Sequence, residues 1–219
     1  MAGDEPFGGD SLYGTTISDM VLLRDSRAMR KLRGIASMCV DLKVCELALA
    51  DLLQVTEEVL RSQRKATAAE FRQANEKWIV AVISYGRCFV DSRGRKPLLE
   101  IDIGTMGGDL ALHQHFMEAR HSTVAHATVV DRRVEVFAKL RPLSSEPGVV
   151  GLAFIESYIP LPGAEVLRQH LNHVVALGHS TVKQLNDLKV RLSSYLTENH
   201  STELYKCLEA NLPWSEHRD

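Results

Sequence analysis

The residue types best suited to chemistry are concentrated in one short stretch, residues 112–127. Arg120, His121 and His126 lie there within seven residues of one another. A histidine exchanges protons near neutral pH, and an arginine binds a phosphate through two parallel charge-assisted hydrogen bonds. Cleaving RNA without a metal needs proton transfer at two oxygens and a cation for the charged intermediate, so these groups suit that reaction.

The composition is that of a globular chain that can bury a core. The 219 residues are 45% hydrophobic and 25% charged. A formal net charge of −2 argues against coating nucleic acid by bulk electrostatics, so phosphate contacts would need a local basic patch. The start does not resemble a signal peptide, and no apolar run approaches the roughly 20 residues that cross a bilayer. We therefore expect a soluble, cytoplasmic protein with no membrane partner.

Helical spacing of apolar residues covers most of the chain. It predicts a helix over 26–64 and a second over 66–91, where Thr67 and Glu70 are spaced to form a capping box. Gly94 and Pro97 should end the second helix, and the pattern from 97 to 108 is ambiguous because glycines interrupt an apolar run. From 109 to about 130 the helical pattern is firm, and Arg120 to His126 lies on its second half.

The period of the pattern changes after this helix. Residues 134–140 and 149–158 are β-prone and flank turn-forming residues, which predicts a β-hairpin at about 133–158. Pro160 and Pro162 precede a long helix to about 199, and Ser201 could cap a short final helix over 201–210.

These elements predict a mainly α fold: an antiparallel four-helix bundle with a small β-hairpin between the third and fourth long helices. Residues 1–18 are expected to be loose, 19–210 to form a single domain, and 211–219 to be a loose tail.

The stretch Arg120 to His126 resembles the signature of the HEPN superfamily, helical-bundle proteins common in prokaryotic toxin and antiphage systems. That signature is an arginine, commonly followed by a polar residue, with four to six residues before a histidine; here five residues separate Arg120 from His126. The segment Tyr85-Gly86-Arg87-Cys88-Phe89 is similar to one prokaryotic branch, and the resemblance covers roughly 26–130. It implies a helical domain acting as a metal-independent endoribonuclease and a homodimer.

Each residue of the motif then has a role. His126 would be the acid or base, Arg120 the phosphate clamp, and His121 a substrate-positioning or second proton-transfer group. Six residues of unbroken helix rise about 9 Å and rotate roughly 120° off a common face, so Arg120 and His126 would not form a tight pair. Either the helix deforms, or two copies of the motif meet across a dimer. The resemblance implies the second, a composite cleft at a two-fold interface.

Basic residues flank the motif on both sides in sequence, and they could bind the RNA backbone. They are Arg87, Arg93, Arg95, Lys96, Arg132 and Arg133. An equally simple interpretation is that each is solvated or favours the negative end of a helix. The expected partners are RNA, a second copy of the chain, and an antitoxin or nucleotidyltransferase-like protein.

A non-catalytic interpretation stays open. The chain could be a helical module that binds RNA, a nucleotide or a protein partner without cutting anything. In that case the histidines would be hydrogen-bonded packing residues, and Arg120 would cap carbonyls or pair with Glu118.

No cofactor and no metal are expected. His113 and His115 are two apart on a helix and point about 160° away from each other, so we expect one to be packed and the other exposed. His170, His173 and His179 are expected on the exposed face of the last helix or at an oligomer contact. The cysteines form no C-x-x-C pair, which favours free thiols over disulfides or zinc. They are Cys39, Cys45, Cys88 and Cys207.

Overall fold

The computed structural model describes residues 21, 23–24, 27–91, 97–121, 134–142, 149–156, 161–210 and 212–215. These residues are mainly helical, which confirms the predicted fold class at that level. The elements in chain order are β1 (Leu23–Arg24), α1 (Arg27–Arg61), α2 (Ala68–Arg87), α3 (Glu100–Thr105), α4 (Leu110–Arg120), β2 (Val134–Leu140), β3 (Val149–Glu156), α5 (Ala164–Glu209) and β4 (Trp214–Ser215).

Contacts divide the chain into two compact units. Within the described residues, unit 1 draws on 21–43, 87–109 and 173–215, and unit 2 draws on 44–86 and 110–172. The boundaries fall inside α1 and α5 and at the last residue of α2, where the apolar spacing continues without a break. The hydrophobic pattern of the sequence therefore does not reveal the boundaries between the two units.

Unit 2 begins α2 with the capping box that the sequence predicts. The Thr67 N–H donates to the Glu70 carboxylate at 2.8 Å, and the Glu70 N–H donates to the Thr67 hydroxyl at 3.2 Å. The Arg64 guanidinium also binds the Glu70 carboxylate, at 2.5 and 2.8 Å. The hydrogen bonds from Arg64 and then from Thr67 lower the pKa of Glu70 well below its ordinary range. The turn between α1 and α2 is therefore closed by one carboxylate.

The core of unit 2 is built from α1, α2, α4 and α5. Fully buried side chains from these helices are Leu49, Leu52, Trp78, Val82, Tyr85, Phe116 and Leu167. On the surface, Arg168 of α5 binds Glu57 of α1 at 2.7 Å, and Lys77 of α2 binds Asp51 of α1. Strands β2 and β3 pair antiparallel from Val134 opposite Glu156, with an irregularity between Lys139 and Leu140.

Unit 1 holds an apolar cluster and a short parallel strand pair. Leu23 pairs with Trp214 and Arg24 with Ser215, so two residues of the segment expected to be a loose tail form a strand. The cluster contains Met29, Leu196 and Cys207, with Val21, Leu23, Leu192 and Leu204 packed around it. Of the ambiguous segment 97–108, only six residues are helical, and Gly107 follows that helix with a φ of +78°.

The structure has one helix where the sequence predicts a long helix to about 199 and a short final helix over 201–210. α5 runs without a break from Ala164 to Glu209. No glycine or proline occurs between 179 and 212, and His200 bridges the expected break by contacting the Tyr195 hydroxyl at 3.2 Å and the Glu203 carboxylate at 2.9 Å. The predicted cap at Ser201 is therefore wrong. Among the described residues, none of the helices combines the length and apolar character that crossing a membrane requires.

Candidate active site

The first half of α4 is bound into the core of unit 2. His113 is buried, and its Nδ1 lies 2.8 Å from the Tyr85 hydroxyl. Phe116 is also buried and stacks on Tyr85 with ring centroids 4.2 Å apart and planes 18° apart. Trp78 of α2 also packs on Phe116, with ring centroids 5.8 Å apart. His113 is thus a hydrogen-bonded packing residue, and His115 is exposed, as the helical spacing predicts.

His115 and His170 form a direct imidazole pair. The Nδ1 of His115 lies 2.7 Å from the Nε2 of His170, the ring centroids are 4.9 Å apart, and the planes differ by 16°. This centroid distance is close to the distance between the two nitrogens plus the distance from each nitrogen to the centre of its own ring. The two rings therefore lie edge to edge, in nearly one plane. The hydrogen bond therefore follows the lone pair of the accepting nitrogen, and one ring donates while the other accepts.

The predicted exposure of His170 and His173 is wrong, because both are buried. His170 packs on Phe116 at a centroid distance of 4.4 Å, and in unit 1 the Nδ1 of His173 accepts the Asp109 N–H at 2.9 Å, just before α4 begins. The buried face of α5 follows 167, 170, 174, 177 and 181, a stripe that includes a histidine and a threonine. Only His179 of the three is exposed.

The last turn of α4 presents a different environment. Arg120 is half-buried, whereas every other arginine whose burial the structure describes is exposed. Its stem lies against Gly86 of α2, where an added Cβ would stand 2.1 Å from the Arg120 Cδ and 2.7 Å from its Nε. Among the described residues, no hydrogen bond or ion pair involves the Arg120 guanidinium, and this includes the pairing with Glu118 that the non-catalytic interpretation suggests.

His121 follows Arg120 directly and is exposed. Within the described part of the chain, its imidazole also forms no hydrogen bond or ion pair. An arginine held by its stem can bind an anion, and an accessible imidazole at the next position in the sequence can exchange a proton. His126, the third member of the predicted site, lies outside the described residues.

The predicted RNA-binding residues fall mostly outside the described residues as well. Those outside are Arg93, Arg95, Lys96, Arg132 and Arg133. Arg87 is described in unit 1: it ends α2, is exposed, and its Nη1 lies 3.5 Å from the carboxylate of buried Asp41. Part of its charge is therefore balanced within the protein.

Metal ligands are not gathered in the described part of the chain, where no group of three or more His, Cys, Asp or Glu side chains could hold an ion. The four cysteines are buried and unlinked by disulfides. Burial raises the pKa of the Cys39 thiol, which keeps it protonated and unreactive.

Comparisons with protein-family models, with curated proteins and with solved structures found no match to this chain. The sequence pattern had not singled out Gly86 or His170 as parts of the surroundings of α4. Gly86 stands one residue before Arg87 in the segment 85–89, but only the contact with Arg120 gives it a role.

Proposed function

We propose that this chain is a metal-independent endoribonuclease of HEPN type, acting as a toxin or antiphage-defence component. Arg120 clamps the scissile phosphate, His126 is the general acid or base, and His121 positions the substrate or transfers the second proton. The observation that supports this most is Arg120, a half-buried residue whose guanidinium has no carboxylate partner among the described residues.

A partly buried cation without an internal counter-charge is available to an anionic ligand. Removing a charged group from water costs free energy unless an opposite charge or hydrogen-bond acceptors replace the water. A bound ligand would supply this opposite charge. The planar guanidinium suits a phosphate, which it binds through two parallel hydrogen bonds. An RNA backbone supplies such phosphates at every nucleotide.

The proposed reaction balances without a metal or cofactor. A histidine removes the proton of a 2′-hydroxyl, the 2′-oxygen attacks phosphorus, and Arg120 stabilises the negative phosphorane. The bond to the 5′-oxygen breaks as that oxygen receives a proton. The products carry a 2′,3′-cyclic phosphate and a 5′-hydroxyl, which gives the reaction a recognisable end group.

We place this site in an antiparallel four-helix bundle with a hairpin of β2 and β3, assembled as a homodimer with a shared cleft. Exposed apolar side chains in unit 2 support a contact between copies, because a patch of this kind marks an interaction surface. The Asp51–Lys77 ion pair joins α1 to α2 on the solvent side. Helical spacing places further exposed side chains on that side, one and two turns away: Leu47, Val44 and Val80.

The test is cleavage of mixed total RNA in EDTA by the wild type, Arg120→Ala and His126→Ala. We expect fragments with cyclic phosphate ends from the wild type and a loss of about 10²–10³-fold for each variant, as for removal of a group that stabilises a transition-state charge. Arg72→Ala, which removes an exposed arginine of α2, is the matched control and should cleave like the wild type. Equal cleavage by all four proteins would contradict the proposal.

A mixture of Arg120→Ala and His126→Ala tests the shared cleft. If each cleft takes the arginine of one copy and the histidine of the other, half of the dimers are mixed and each has one intact cleft. About a quarter of the wild-type rate should then return. No recovery after subunit exchange would place both residues in one copy.

The second candidate function is a non-catalytic module that binds RNA, a nucleotide or a protein partner such as an antitoxin or nucleotidyltransferase-like protein. The hydrogen bonds of His113, His170 and His173 favour this function, because they show that other histidines of the chain stabilise the fold. Saturable RNA binding without any product from the wild type would indicate this function instead.

A further inference from the structure

Gly86 of α2 lies against the side chain of Arg120, in the last turn of α4 in unit 2. It is buried one residue before the end of α2. A Cβ at this position would meet the Arg120 Cδ at 2.1 Å, its Nε at 2.7 Å and its Cγ at 3.3 Å. The arginine stem therefore occupies the space that any other residue at position 86 would need.

A glycine inside a helix has a cost, because it loses about 1 kcal/mol of helix propensity relative to alanine. Gly178 inside α5 is a helical glycine without such a contact, since a Cβ there would have no heavy atom of the described residues within 4 Å. The two glycines differ in what lies where a Cβ would stand. At Gly86 that space holds the stem of Arg120.

We infer that Gly86 is a positioning residue for Arg120: by leaving the helix surface open, it lets the arginine stem lie flat on α2 and fixes where the guanidinium meets a phosphate. The part of this inference that concerns cleavage rests on the proposed function. The steric part does not, because the contact exists whatever the guanidinium binds.

The test compares Gly86→Ala in two backgrounds, the wild type and Arg120→Ala, with Gly178→Ala as the matched control. Gly178→Ala should raise the thermal midpoint by about 2–4 °C, the gain expected for a freely placed alanine, and leave cleavage unchanged. Gly86→Ala should raise the midpoint less in the wild type, because the stem of Arg120 must move, and by the full amount in Arg120→Ala.

Cleavage separates a positioning role from a merely structural one. Gly86→Ala should lower kcat at least tenfold with a smaller change in KM, because the misplaced guanidinium loses its contact with the transition state more than with bound RNA. In the Arg120→Ala background the same change should alter the residual rate less than twofold, since the two residues act as one unit.

The outcomes distinguish failure of this inference from failure of the proposed function. Equal midpoint shifts in both backgrounds, or unfolding in both, would overturn the inference whether or not RNA is cut. Unequal midpoint shifts with no cleavage by the wild type would uphold the positioning of Arg120 and contradict the ribonuclease. A wild-type rate in Gly86→Ala would overturn the claim that the position of Arg120 matters for cleavage.

Discussion

The two ends of α4 place histidines in different surroundings. Near its start, His113 and Phe116 are buried against Tyr85, and His115 is hydrogen-bonded to buried His170. At its end, Arg120 is half-buried and His121 exposed, and neither forms a hydrogen bond or ion pair with the residues that the structure describes. The difference shows that a histidine becomes available for chemistry through the lack of internal partners, which its spacing in the sequence does not reveal.

We expect the largest loss of stability from a substitution in the buried part of α4. Phe116→Ala removes a fully buried ring stacked on Tyr85 and Trp78, and should lower the free energy of unfolding by about 3–5 kcal/mol. Leu110→Ala, an exposed position on the same helix, should change it by less than about 0.5 kcal/mol. Urea unfolding followed by circular dichroism measures both. Similar values for the two variants would contradict the assignment of Phe116 to the core of unit 2.

A smaller effect tests the hydrogen bond of His113 alone. Tyr85→Phe keeps the ring but removes the hydroxyl 2.8 Å from His113 Nδ1, so it should cost about 1–3 kcal/mol. Cleavage per folded molecule should stay within twofold of the wild type, as judged by rate assays well below the thermal midpoint. A large loss of rate in fully folded Tyr85→Phe would show that the buried histidine takes part in the chemistry.

We expect the smallest effect at the capping box of α2, where Glu70 binds Arg64. The pKa of Glu70 is lowered by the hydrogen bond from Arg64, so the stability it contributes is complete above its ordinary pKa of about 4.3 and is lost as the pH falls toward the folded value. Glu70→Gln lacks that titration. Thermal midpoints from about pH 5 to pH 2 should therefore fall more for the wild type than for Glu70→Gln, while cleavage at neutral pH should be equal. Parallel curves would contradict this assignment.

The local elements could be predicted from the sequence because local rules determine them. The capping box of Thr67 and Glu70 is a matter of spacing, and the long helices follow the apolar period, so α1 and α2 begin or end within a few residues of the predicted bounds. The opposite environments of His113 and His115 also follow from helix geometry alone.

Long-range contacts explain what the sequence could not supply. The burial of His170 depends on Trp78 and Phe116, which are distant in sequence, and the contact of Gly86 with Arg120 joins two helices. The helical period alone also could not show that α5 would continue through Ser201, because a serine favours an N-cap but is also tolerated inside a helix. The predicted roles of His126 and the flanking basic residues stay predictions, since those residues, except for Arg87, lie outside the described part of the chain.

We propose that the end of α4 serves chemistry and not stability, and the variant Arg120→Ala separates the two. The measurement pairs its thermal midpoint with its rate of RNA cleavage in EDTA, both relative to the wild type. We expect a midpoint within about 2 °C of the wild type, as for a change that removes no fully buried group, and a rate lower by at least about 10²-fold. A midpoint lowered by many degrees, or an unchanged rate in a protein that cuts RNA, would contradict it.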